Sequence, residues 1–132
     1  MTAASGHPRF APGAHLIAAH GGGAFAFAGM LRHGSILATP SGVRPMDATT
    51  IADLDEHTLA PLFAELGEAP GSIEFLVIGT GAQTLPVPKA LRAALAGARL
   101  RFEAMATGPA LRVYNVMRSE DRRVAAALIA AP

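Results

Sequence analysis

Leu59, Leu62, Phe63 and Leu66 recur at i, i+3, i+4 and i+7, which is one face of a helix, while most earlier apolar positions in the chain follow other spacings. Before residue 40 the pattern is extended. His15 to His20 reads as a first strand, and Gly21-Gly22-Gly23 breaks it. Ala24-Phe25-Ala26-Phe27-Ala28 alternates large and small, as a strand with one bulky face does. Gly29 and a His33-Gly34 turn flank another extended stretch, Ser35 to Thr39. The first forty residues therefore predict an antiparallel β meander. Pro40-Ser41-Gly42-Val43-Arg44-Pro45 reads as a loop by its proline and glycine content.

The Leu59–Leu66 helix has Asp55 as an expected N-cap and Glu56 near its first turn. Pro61 either kinks it or moves its start to about Leu59, and Gly67 with Pro70-Gly71 ends it. From there strands and helices alternate. Glu74 to Ile78 is a strand. Pro88 opens a helix with Leu91, Ala94, Leu95 and Ala98 inward. Leu100 to Met105 is a strand with Leu100, Phe102 and Ala104 inward. Thr107 or Gly108 caps a last helix with Pro109 at its start and Ala110, Val113, Tyr114 and Met117 as its apolar stripe. Ser119 to Arg123 turns, and Val124 to Ile129 returns as a strand. Such alternation implies parallel pairing in the second half. The fold class expected is a layered α/β domain, with a central mixed sheet, helices packed on it and an N-terminal antiparallel meander.

At 132 residues the chain fits one domain, residues 14–132, behind a flexible tail over residues 1–13. There is no cysteine, which excludes disulfides, thiolate metal sites and cysteine nucleophiles. The net charge of +1, with basic residues spread along the chain, gives no cationic face for nucleic acid. No apolar run reaches the roughly eighteen residues of a membrane span, and residues 1–13 do not resemble a signal peptide. The expectation is a cytoplasmic protein.

Candidate chemistry is sparse. Leu76-Val77-Ile78 runs into Gly79-Thr80-Gly81, then a helix, which suggests a nucleotide-binding start. Yet Thr84 holds the third glycine position of a dinucleotide fingerprint, seven residues separate Gly81 from Pro88, and Lys89 lies beyond two prolines without a following hydroxyl. The glycines are better read as permitting positive φ and close packing. No histidine pair has helical metal spacing with an acidic partner. Carboxylate pairs such as Asp53/Asp55 and Glu120/Asp121 sit at helix starts or turns, where capping suffices. There is no G-x-S-x-G elbow. No catalytic residue, metal or cofactor is assigned. One cleft stands out, beyond the C-terminal ends of the parallel strands: Gly79, Thr80 and Gly81 opposite Thr107 and Gly108, with Arg112, Tyr114 and Asn115 on the last helix and Arg44 from the earlier loop. Free N–H groups at that helix start suit an anion or a carbonyl.

These pieces occur in a fixed order: Gly23-x-Phe25-x-Phe27-x-Gly29, His33-Gly34-Ser35-Ile36-Leu37, Pro40-x-Gly42-Val43-Arg44-Pro45, Gly79-Thr80-Gly81, Thr107-Gly108 and Tyr114-Asn115. The set resembles the Mth-type domain family of unknown function, which includes mitochondrial complex I assembly factor 3 and the adipogenesis-associated Mth-domain protein. The likeness covers roughly residues 14 to 130. It implies a layered α/β fold without an established enzyme activity. It also implies an unidentified protein partner, in membrane-complex assembly or insertion machinery. The chain departs from the family's pattern at Ala106, often acidic, at Leu111, frequently Cys, and at Met46, commonly Trp. Those departures argue against Asp- or Cys-based chemistry and for a binding module.

Overall fold

The computed structural model describes residues 10–20 and 22–131, with the side chains of residues 19 and 20 left aside. The strands are β1 (Ala11–Pro12), β2 (Ala18–His20), β3 (Ala24–Phe27), β4 (Met30–His33), β5 (Ile36–Thr39), β6 (Gly42–Pro45), β7 (Phe75–Gly79), β8 (Phe102–Met105) and β9 (Val124–Leu128). The helices are α1 (Ala60–Glu68), α2 (Lys89–Gly97) and α3 (Thr107–Ser119), preceded by a short 3₁₀ turn at Ile51–Asp53. A six-stranded mixed sheet runs β1-β6-β5-β9-β7-β8, and β2-β3-β4 form a separate antiparallel sheet.

The centre of the large sheet is β9. It pairs parallel with β7 (Val77↔Ala126) and antiparallel with β5 (Leu37↔Ala127). Every residue from Val124 to Leu128 is buried, as a strand covered on both faces requires. That is why its run of alanines is continuous rather than alternating. The chain steps from β7 through α2 to β8 on one side, then from β8 through α3 back to β9 on the other. Right-handed crossovers in opposite directions put α2 and α3 on opposite faces. Leu76, Ile78, Ala125, Ala127 and Leu37 pack with Leu59, Leu62, Leu91 and Leu95 of the α1/α2 layer. Their neighbours Val77, Val124, Ala126, Leu128 and Ile36 pack with Ala110, Leu111 and Tyr114 of α3 and with Phe25 and Phe27 of the small sheet. The alternation of side chains along each strand thus divides two cores.

Several sequence expectations need correcting. Pro40–Pro45 is not wholly a loop: Gly42–Pro45 forms β6, joined to β5 by the two-residue turn Pro40-Ser41. Among the described residues only β1 lies outside β6, covering Gly42 and Val43, so Pro45 sits at a sheet edge there, a position that tolerates proline. Of the expected meander, the first two strands hold as β2 and β3, and the third place is taken by β4. The unforeseen strand β4 follows β3 through Ala28 and Gly29, both at positive φ (51° and 74°), the geometry of a tight hairpin. The stretch after Gly34 instead joins the large sheet as β5. Of the expected tail, residues 1–9 lie outside the described residues, and Ala11–Pro12 pairs with β6. Pro61 occupies the first turn of α1, whose start is Ala60, and α1 continues through Gly67. Asp55 caps the turn before α1, accepting from Thr58 N–H at 2.8 Å. Ala98 is exposed beyond the end of α2.

Candidate functional site

Gly79 and Gly81 are needed for two different reasons. A Cβ on Gly79 would lie 2.8 Å from Thr107 Oγ1 and 3.1 Å from Leu128 Cδ2, so Gly79 permits close approach of α3. Gly81 has φ of 106°, and a Cβ there would meet only Ile129 Cγ2 at an ordinary 3.8 Å, so its requirement is conformational. The loop they bracket is tied to the start of α3. Thr107 N–H donates to Gly81 C=O at 2.8 Å. Thr107 Oγ1 accepts from Gly81 N–H at 2.9 Å and donates to Ile129 C=O at 2.7 Å. Thr80 N–H donates to Met105 C=O, and Thr80 Oγ1 donates to Gln83 C=O and accepts from Leu85 N–H. Thr107 is therefore the first residue of α3, not its cap. Ala106 holds the cap position with no side-chain capping bond. With Pro109 lacking an N–H and Ala110 N–H bonded to Ala106 C=O, Gly108 carries the remaining first-turn donor.

The other candidate residues lie elsewhere. Asn115 and Tyr114 hold the segment leading into β2. Asn115 Oδ1 accepts from Ile17 N–H at 2.9 Å, and its Nδ2 donates to Ile17 C=O at 2.6 Å. Tyr114 O–H donates to His15 C=O at 2.7 Å. Burial pushes the Tyr114 phenol up to about 12, against a smaller lowering by Arg118, so it stays a donor throughout the physiological range. Arg112 is exposed on α3. Arg44 lies on β6 facing α1, on the side of the sheet opposite α3, with its guanidinium 4.5 Å from the Phe10 ring centroid. The structure thus brings together Gly79, Thr80, Gly81, Thr107 and Gly108, places Tyr114 and Asn115 against residues 15–17, and leaves Arg44 on the other face. Met46 and Leu111 are buried in the two cores. Asp53 accepts from Thr49 and Thr50 N–H groups, which hold its carboxyl below the usual range. No cluster of metal-ligating side chains occurs among the described residues, and no helix there is long and apolar enough to cross a membrane.

A feature missed in the sequence is the outer face of the small sheet. Phe25 and Phe27 point inward, yet the outward row across the three strands is Ala18, Ala26 and Leu31, also apolar. Leu16 (56% exposed), Leu31 (55%), Met30 (40%) and Val116 (56%) sit on or beside it. A depression of about 500 Å³ between α3 and β2 is lined by Leu16, Ala18, Ala26 and Val116. It meets a second at Ala26, running to Met30 and Leu31, and a third along α3 at Val116. The signal was available: Val116 lies off the stripe of α3, and Met30-Leu31 breaks the in–out alternation.

A six-stranded mixed sheet sandwiched between α1/α2 and α3, with a three-stranded sheet beside α3, defines a layered α/β domain of the Mth938-like kind. The chain belongs to the family described as protein of unknown function DUF498/DUF598, which it matches over residues 17–129. It is 36% identical to an uncharacterised protein of Rhodobacter capsulatus over 95% of this chain and 91% of that one. Among solved structures it is similar to a Bartonella henselae protein described as an outer membrane protein (40% identity, TM-score 0.83, covering 92% of this chain and 98% of that one). It is also similar to a Bordetella pertussis protein described as an Mth938-like domain (25% identity, TM-score 0.71, covering 86% and 84%).

Proposed function

We propose that this chain is a non-catalytic protein-interaction module that works as an assembly factor does. The observation that supports this reading is the outer face of the small sheet. Among the described residues, three of the five large exposed hydrophobic side chains, Leu16, Leu31 and Val116, cluster there around the Ala18–Ala26–Leu31 row, with Met30 at its edge. Apolar residues scattered singly need no explanation, but a contiguous patch suits a partner surface. The partner is an apolar segment of another protein, of the kind a membrane-complex subunit exposes before assembly. The loops at Gly79–Gly81 and Thr107–Gly108 favour this reading over a ligand cleft, because most of their polar groups bond to one another.

The test compares a Leu16→Ser/Leu31→Ser/Val116→Ser variant with the wild type in affinity purification from the native host, read by quantitative mass spectrometry. The reading expects a defined partner that is lost with the variant while its circular dichroism is unchanged. Equal recovery with both proteins would contradict it. Phosphate-induced amide shifts confined to residues 79–81 and 107–115 would instead favour an anion-binding cleft there.

A further inference from the structure

A separate cavity, on the opposite face from the apolar patch, has the makings of a ligand site. It measures about 290 Å³ and lies between the β5–β6 hairpin and α1. Pro61, Ala64, Glu65 and Glu68 line it from α1; they recur at i, i+3, i+4 and i+7, the helix face turned away from the core residues Leu59 and Leu62. Ser41 and Arg44 close it from the hairpin and Ser72 from the turn after α1.

Two of its polar groups are buried without a partner: Arg44 Nε and Ser72 Oγ. Arg44 forms no ion pair or hydrogen bond among the described residues, and its cationic group stacks on Phe10. Buried donors are normally satisfied, so both gain from an acceptor brought against them in the cavity. The opposite wall is acidic. Glu65 uses Oε1 to accept from Ser41 Oγ at 2.6 Å, and Glu68 is exposed at the mouth. A lone phosphate would meet these two carboxylates, and a lone cation would meet the guanidinium. A molecule with both charges satisfies each wall: its carboxylate accepts from Arg44 and Ser72, and its ammonium donates to Glu65 and Glu68. The volume falls below the range for drug-sized ligands and suits a small one.

From this geometry we infer that the cavity between the β5–β6 hairpin and α1 binds a small zwitterion, a free α-amino acid, with Arg44 on its carboxylate and Glu65 and Glu68 on its ammonium. Glycine, alanine, serine and proline are titrated separately into the ¹⁵N-labelled full chain, following the Arg44 Nε–H signal and the amides of Ser41 and Ser72. At least one of them is expected to give saturable shifts at millimolar concentration. Its N-acetyl and amide derivatives, each lacking one charge, should bind at least roughly tenfold more weakly. Arg44→Gln should abolish the shifts and Glu65→Gln should weaken them. Should Arg44→Gln fail to fold, Ser72→Ala, which leaves the Phe10 stacking intact, should weaken binding in its place. The absence of saturable shifts, binding by acetate or phosphate as tight as by the amino acid, or shifts that survive Arg44→Gln would each overturn the inference.

Discussion

Asn115→Ala is the most informative single perturbation of the fold, because it cuts the joint between α3 and the small sheet. The wild-type amide meets both backbone groups of Ile17, at 2.9 Å to the N–H and 2.6 Å to the C=O. The partners fix its orientation: an N–H needs the amide oxygen and a C=O needs the amide nitrogen. Ile17 is only 2% exposed, so water replaces little of what is lost. Two hydrogen bonds that leave secluded backbone partners cost roughly 1–2 kcal/mol each, or about 2–4 kcal/mol together. That is a large part of a typical stability of about 5–15 kcal/mol. Tyr114→Phe removes one bond to His15 C=O, but His15 is only half-buried and its carbonyl can hydrate, so about 1 kcal/mol is expected.

Asn115→Asp separates the two contacts. It keeps the acceptor for Ile17 N–H and sets its second oxygen against Ile17 C=O. Burial and that carbonyl raise the new carboxyl above its unfolded value. The protonated form can donate, so stability is present below the unfolded value and is lost as pH rises through the folded one. The variant should therefore be more stable near pH 4 than near pH 7, relative to wild type. Urea unfolding measures the total effect, and amide exchange locates it. Protection at Phe25 and Phe27 should fall further than at Val77 and Ala126, because the small sheet has less else to hold it. An Asn115→Ala stability within about 0.5 kcal/mol of wild type, or unchanged exchange in β3, would refute the reasoning.

Tyr114 is the single tyrosine and there is no tryptophan, so its ionisation can be followed without interference. Alkaline absorbance titration should show a midpoint near 12, with stability present below about pH 10 and lost as pH rises through the folded value; a midpoint near 10 would show an exposed phenol. Gly81→Ala should cost about 1 kcal/mol or more through its φ of 106°, and Gly79→Ala about 1–3 kcal/mol through contact with Thr107 and Leu128. In a Leu128→Ala background, which removes the Cδ2 that the new Cβ would meet, thermal melts should show the added cost of Gly79→Ala partly relieved and that of Gly81→Ala unchanged. Glu74 accepts from Arg123 N–H and from the Arg122 guanidinium, which hold its carboxyl below the usual range. That contribution is present above the unfolded value and lost as pH falls through the folded one, so acid melts of Glu74→Gln should be flatter than those of wild type.

The second half of the chain was legible because α2 and α3 carry a helical period while β7, β8 and β9 are short, largely apolar runs set off by turn residues, so strands and helices alternate plainly. The first half was less so. Val43 and Arg44 sit between a glycine and a proline, and only pairing with β5 and β1 makes them a strand. Thr107 looked like a cap by residue type, yet its hydroxyl serves Gly81 and Ile129, a partner set made by the crossing of three segments. Tyr114 and Asn115 drew notice as polar groups on a helix with an apolar stripe, and both bond to the segment before β2. Their partners lie 98 and 99 residues earlier, beyond any local pattern. The positive φ at Gly81 followed directly from glycine after a strand. Arg44 was singled out from the sequence, and the structure sets it beside Phe10, Ser72 and Glu65 rather than near the glycine loop.

Site-specific photo-crosslinking tests the interaction reading most directly. A photoreactive residue is placed in the native host at Leu31, at Val116 or at Arg92, the last exposed on α2 across the large sheet. The account predicts one shared adduct from positions 31 and 116, none from 92, and its disappearance when Leu16→Ser is added. Adducts from all three positions alike, or none from 31 and 116, would contradict a partner-binding role for this face.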